Sequence, residues 1–241
     1  MSVKSPLDIS RSLLAALSMK MFLYYENRIP QDMSVLVVSN HRSFMDAPIL
    51  MSAISRPIRF ACHHYMGQVP IMREIVTGQL GCFPLEASQQ RQQSFFVQSQ
   101  VLLQSKQAVG VFPEGTEPMV KFTQPDTMSE FQRGFAHLAL RSQVRDLAIL
   151  PIAIASLEEV NTSAVPLKLL SFFDPSEALF NQPGWHPLVI YRRVAVLVGQ
   201  PYWIQSKHQE KYQGKQAKTV VAELTNHCHS EIQNLLRQGY Y

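Results

Sequence analysis

Cysteine is scarce: Cys62, Cys82 and Cys228 are the only three in 241 residues, and no two are closely spaced. A disulfide framework is therefore not expected, and a reducing compartment is the simpler reading. Long apolar runs are also missing. None reaches the roughly 20 residues that a spanning helix needs, and no small-residue cleavage site follows the short apolar stretch near the N-terminus. Runs of Lys and Arg, zinc-finger spacings and aromatic RNA-binding motifs do not occur, so nucleic acid is not an expected partner. No Gly-x-Ser-x-Gly turn marks a serine hydrolase. No glycine loop of the nucleotide-binding type is present, and neither repeats nor low-complexity tracts appear.

What is present suits a sizeable core, since 46% of residues are hydrophobic. The formal net charge of +4 suits an anionic surface or substrate. Residues 8–25 read as an amphipathic helix, with Leu13, Leu14, Leu17, Met21 and Tyr24 at three- and four-residue spacing. That helix either packs on the core or lies in a membrane interface with its aromatics at headgroup level. Short β-branched or apolar runs at 34–39, 58–62, 82–85, 108–112, 147–155 and 194–198 read as strands. Helical patterns fall at 45–54, 68–78, 89–106, 130–141 and 216–237. Residues 156–188, with Pro166, Pro175, Pro183 and Pro187, read as irregular connections. Alternation of this kind predicts an α/β fold: a single domain, a mainly parallel central sheet flanked by helices, and an N-terminal amphipathic helix. Function in such sheets collects beyond the strand C-termini.

Two turns at such positions carry chemistry. The first strand runs into Asn40-His41-Arg42-Ser43-Phe44-Met45-Asp46. On one unbroken helix, residues five apart point roughly 140° away from each other. With His41 in a loop and Asp46 in the first helical turn, the two meet. The carboxylate then accepts the Nδ1 hydrogen and leaves Nε2 as a base. Alone, the pair also fits a packed histidine and an anion that complements a helix dipole. The second turn, Phe112-Pro113-Glu114-Gly115-Thr116, follows an apolar strand and places a carboxylate, flexible backbone and a hydroxyl at its end.

In this order and separation the two turns resemble the glycerolipid acyltransferase family, the lysophosphatidic acid acyltransferases and their relatives. Asn40-His41-x4-Asp46 matches the family's first motif, Phe112 to Thr116 its third and Leu150-Pro151-Ile152 its fourth. Gly81-Cys82-Phe83 matches part of the second, and Phe131-Gln132-Arg133-Gly134 resembles the segment between the third and fourth. The likeness covers roughly residues 35–155. It implies that His41 is the general base, oriented by Asp46. An acyl group then moves from an acyl carrier protein or coenzyme A thioester to a lipid hydroxyl, 1-acyl-sn-glycerol-3-phosphate first, in phospholipid biosynthesis. It implies no cofactor and no metal. It implies a peripheral or monotopic place on the cytoplasmic face of a membrane, with residues 1–30 as interface helix and 31–241 as acyltransferase domain. Asn40, Phe112, Pro113, Glu114, Gly115 and Thr116 become substrate-binding positions.

The sequence departs from the family at two arginines proposed to hold the acceptor's phosphate, where it has Glu86 and Glu117. Carboxylates there repel the same anion. Either other cations take over, with Arg133 the first choice and Lys121, Arg91 and Arg73 behind it, or the acceptor carries no phosphate beside its hydroxyl. A non-catalytic lipid-binding relative and a thioesterase are the further alternatives. His63-His64 point apart on a strand, so a shared metal is not expected.

Overall fold

The computed structural model describes residues 5–68, 73–86, 90–115, 117–119, 121–172 and 178–239. Its principal elements are α1 (Pro6–Ala16), β1 (Lys20–Tyr24), β2 (Val35–Ser39), α2 (Asp46–Ala53), β3 (Ile58–Cys62), β4 (Phe83–Pro84), α3 (Arg91–Gln104), β5 (Ala108–Val111), α4 (Gly134–Arg141), β6 (Ala148–Pro166), α5 (Leu167–Ser171), β7 (Trp185–Val198), β8 (Tyr202–Trp203), α6 (Ser206–Lys211) and α7 (Gln216–Gln238). A π-helical segment, Arg73–Gln79, stands where a helix over 68–78 was expected.

β2 is buried at every position. A strand of that kind needs a layer on each face, and its residues alternate between the two. Leu36 and Val38 join a cluster with Leu103 of α3, Phe135 and Leu138 of α4, and Leu224 and Ile232 of α7. Val35 and Val37 join the opposite cluster, with Leu14 of α1 and Ile49 and Leu50 of α2. The buried side of α7 shows how sequence spacing meets this demand: Val221, Leu224, Thr225, Cys228, Ile232, Leu235 and Leu236 recur every three or four residues.

The sheet has eight strands in the order β1-β7-β6-β2-β5-β3-β4, with β8 paired to β6. β6, β2, β5, β3 and β4 run parallel to their neighbours along that path, while β7 and β8 are antiparallel to β6. The fold is thus the expected single α/β domain with a mixed, mostly parallel sheet. β2 and β5 lie side by side, with Val38 opposite Val111. The loops that leave them therefore emerge together at one edge of the sheet.

Two expectations change. The N-terminal helix ends at Ala16, and Lys20–Tyr24 forms an edge strand parallel to β7 instead of continuing it. Only α1's apolar side, with Leu7, Ile9 and Leu14, packs on the core. Within the stretch 156–188 expected to be irregular, residues 156–166 and 185–188 are strand; they belong to a long antiparallel arm of β6 and β7. Register shifts between Ser156 and Glu159 break its period-two pattern, and exposure leaves it without a continuous apolar run.

Candidate active site

The turn after β2 is folded around one carboxylate. Asp46 opens α2 and is fully buried. Its Oδ2 lies 2.8 Å from His41 Nδ1 and accepts the backbone N–H groups of Arg42 at 2.7 Å and Ser43 at 2.8 Å. The chain doubles back on its own side chain, which is how residues five apart meet. With Nδ1 donating to Asp46, the Nε2 face of His41 is left for the cavity that the ring lines.

The turn after β5 holds the other side of the imidazole. Phe112 stacks on His41 with ring centroids 4.1 Å apart, and Phe60 stacks on Phe112 at 4.9 Å. Glu114 is buried with both oxygens occupied: Oε1 accepts His41 N–H at 2.9 Å and Oε2 accepts Ser129 N–H at 2.7 Å. Burial pushes its pKa up, and the two N–H donors oppose that. Gly115 has φ +72°, a left-handed conformation that favours glycine, and a Cβ there would also crowd the Gln132 side chain. Gln132 N–H donates to the Pro113 carbonyl at 2.8 Å and brings Arg133 to the same turn.

Further contacts fix the first turn from behind. Asn40 donates to and accepts from the backbone of Ile154, continuing the strand ladder with a side chain. Arg42 makes a bidentate pair with Glu159 at 2.7 and 2.9 Å and also reaches the Thr123 hydroxyl and carbonyl. Ser43 Oγ donates to the Val189 carbonyl, which removes it as a nucleophile. Asp46 Oδ1 and the Tyr191 hydroxyl are buried without a hydrogen bond of ordinary geometry. Burial and the nearby Asp46 charge raise the Tyr191 pKa far above its ordinary value.

The cavity in front of His41 has a volume of about 870 Å³, within the range of small-molecule sites. Phe60, Cys62, Leu80, Cys82 and Leu85 give it apolar walls. Burial pushes Cys62 up to about 12 and Cys82 up to about 11, so both thiols behave as apolar surface. Arg91, Arg133 and Arg141 also line it, and no carboxylate does among the described residues.

Of the positions read from the sequence, His41, Phe112, Pro113, Gly115 and Arg133 border the cavity. Asn40, Asp46 and Glu114 are buried supports behind it. Lys121 is exposed and pairs with Glu117 at 3.1 Å, and Thr116 lies outside the described residues. Glu86 is exposed, and neither it nor Glu117 lines the cavity. No group of three metal-ligating side chains occurs among the described residues. Sequence reasoning missed Phe60, His137, Arg141 and Tyr191. Gly110 inside β5 was the one available signal for Phe60, because that aromatic ring occupies the space its Cβ would fill.

The site is thus a part-buried histidine–carboxylate pair whose imidazole borders a largely apolar cavity. The family model for acyltransferases matches residues 21–155, more than half of the chain, and the chain belongs to that family. Membership implies an acyl donor as substrate. The fold is similar to the crystal structure of the 1-acyl-sn-glycerophosphate (LPA) acyltransferase, PlsC, from Thermotoga maritima. The TM-score is 0.61 at 15% identity, over 97% of this chain and 77% of that one. No curated protein matches the sequence.

Proposed function

We propose that the protein transfers a fatty acyl group from an acyl carrier protein or coenzyme A thioester to a lipid hydroxyl, most directly that of 1-acyl-sn-glycerol-3-phosphate. The observation that carries this reading is the 2.8 Å contact of His41 Nδ1 with buried Asp46, behind a cavity that a lipid chain can occupy. His41 Nε2 takes the proton of the acceptor hydroxyl as the oxygen attacks the thioester carbonyl. Asp46 stabilises the imidazolium. The tetrahedral intermediate collapses, the C–S bond breaks and the imidazolium returns its proton to the thiolate. General-base help of this kind is worth about 10²–10⁴-fold.

The phosphate-bearing acceptor is favoured because the two glutamates that argued against it are exposed and do not line the cavity, whereas three arginines do. Among the described residues no helix is long and apolar enough to cross a membrane. A peripheral place on a membrane surface, with β1 at the interface, is supported by the exposed rings of Phe22, Tyr24 and Tyr25.

Purified protein, labelled acyl thioester and a panel of lipid alcohols test the proposal. Ester formed on lysophosphatidate is the expected product. Free fatty acid alone would indicate a thioesterase, ester only on neutral alcohols would replace the acceptor, and lipid binding without turnover would indicate a non-catalytic relative.

A further inference from the structure

Helix α4 and the residue before it carry a second cluster that proton transfer does not use. Arg133, His137 and Arg141 recur every four residues, and all three line the cavity. That spacing places them on one helical face as a ladder. The ladder begins at the catalytic turn, because Gln132 is bonded to Pro113. Eight residues of helix then carry it about 12 Å away.

Tyr212, at the end of α6, fixes the far end. Arg141 Nε donates to the Tyr212 hydroxyl oxygen at 2.8 Å, and a guanidinium can only donate. The phenol's own hydrogen is therefore free for His137 Nδ1, 2.8 Å away. Nδ1 is then an acceptor, and the neutral ring carries its hydrogen on Nε2. Burial, with Arg141 and Arg133 adding to it, holds the His137 pKa down, which agrees with this neutral tautomer. Arg141 also lies over the rings of Phe96 and Tyr212, at 5.6 and 5.5 Å, which orients its plane.

The result is a row of donors, two of them charged, in a cavity without a carboxylate among its described residues. Such an array suits a tetrahedral oxyanion with acceptor oxygens on several sides. We propose that Arg133, His137 and Arg141 form a phosphate seat in this cavity and do the work that arginines at positions 86 and 117 would otherwise do. The seat rests on the acyl-transfer reading only for which substrate brings the phosphate. The acceptor's phosphate monoester and the phosphate of the donor's pantetheine arm share the required chemistry.

Direct binding separates the seat from the catalytic reading. Protein with ¹⁵N-labelled histidine is titrated with inorganic phosphate and with glycerol 3-phosphate. Saturable shifts of the His137 ring nitrogens are expected, and Arg141→Gln weakens them about 10–100-fold, the loss of one charged hydrogen-bonding partner. Tyr212→Phe, which frees Nδ1, is expected to change the His137 tautomer signature and weaken phosphate as well. Absence of a saturable His137 shift with both probes overturns the seat, as does unchanged binding in folded Arg141→Gln. In steady-state assays, a raised KM for lysophosphatidate in Arg141→Gln assigns the seat to the acceptor, and a raised KM for the thioester assigns it to the donor. If neither KM moves, the seat is refuted. Phosphate binding at His137 in a protein that transfers no acyl group leaves the seat standing and removes the catalytic reading.

Discussion

Phe112 lies almost flat on the His41 imidazole, with the ring planes 14° apart. The stack continues to Phe60, whose ring occupies the space above Gly110 of β5. A core position in the sheet is thus linked through two aromatic rings to the proposed base.

Gly110→Ala tests that link. The new Cβ collides with the Phe60 ring, so the ring must move and take Phe112 with it. Overpacking of this kind costs about 1–3 kcal/mol. A displaced base costs more in rate than in stability, so kcat is expected to fall by about 10²-fold. A melting curve and steady-state kinetics check the pair of effects; parental kcat in a destabilised variant would show that the stack does not position His41.

His41→Ala is expected to lower transfer by about 10²–10⁴-fold with the fold retained. Asp46→Ala is expected to do the same to rate and also to destabilise, since the Arg42 and Ser43 N–H groups lose their acceptor. Each buried donor left unpaired costs about 1–3 kcal/mol. Rates near parental in folded His41→Ala would end the mechanism.

The Arg42–Glu159 pair predicts a pH dependence of stability. Burial alone would raise the Glu159 pKa, but the hydrogen bonds the carboxylate accepts, Arg42's first among them, together with the Arg42 charge, outweigh it and hold the carboxyl below its ordinary value. A carboxyl lowered on folding contributes stability above its unfolded pKa and loses it as pH falls through the folded one. Glu159→Gln should therefore be less stable at neutral pH, by about 3 kcal/mol if the buried guanidinium is left unpaired. Its stability should fall less than the parent's on acidification below about pH 5. Denaturant melts across that range check the sign; parallel curves for the two proteins would show that the pair is not what titrates.

The exposed aromatic edge at β1 predicts membrane binding. Arg193 lies over Phe22 at 5.8 Å and Arg28 over Tyr25 at 4.0 Å, an aromatic surface flanked by cations. Deleting the segment is a poor test, because β1 is bonded to β7 along its length. Phe22→Ser with Tyr24→Ser keeps the strand and is expected to lower sedimentation with anionic vesicles by about tenfold, given the apolar area removed. Equal sedimentation of the two proteins would place the contact elsewhere.

Much of this molecule was legible in its chain. The buried strands, α2, α3 and α7 follow from period and turn signals, because each must hide an apolar face and its sequence shows which one. His41 and Asp46 were legible for a similar reason: a five-residue spacing closes only if a loop meets a helix start. The long arm of β6 and β7 was not, because solvent on its exposed surface removes the hydrophobic signal. Nor was the end of the N-terminal helix at Ala16, since residues 20–24 have apolar positions that satisfy both periods.

The sequence by itself determined the α/β class, the pairing of His41 with Asp46 and the two turns that bear chemistry, all of them local in the chain. Only tertiary structure decided which charges face the cavity. Glu86 and Glu117 look decisive in one dimension, yet both are exposed and neither lines the cavity, while Arg141, outside the motifs, does. Side-chain direction depends on what packs behind each residue, and that neighbour comes from a distant part of the chain.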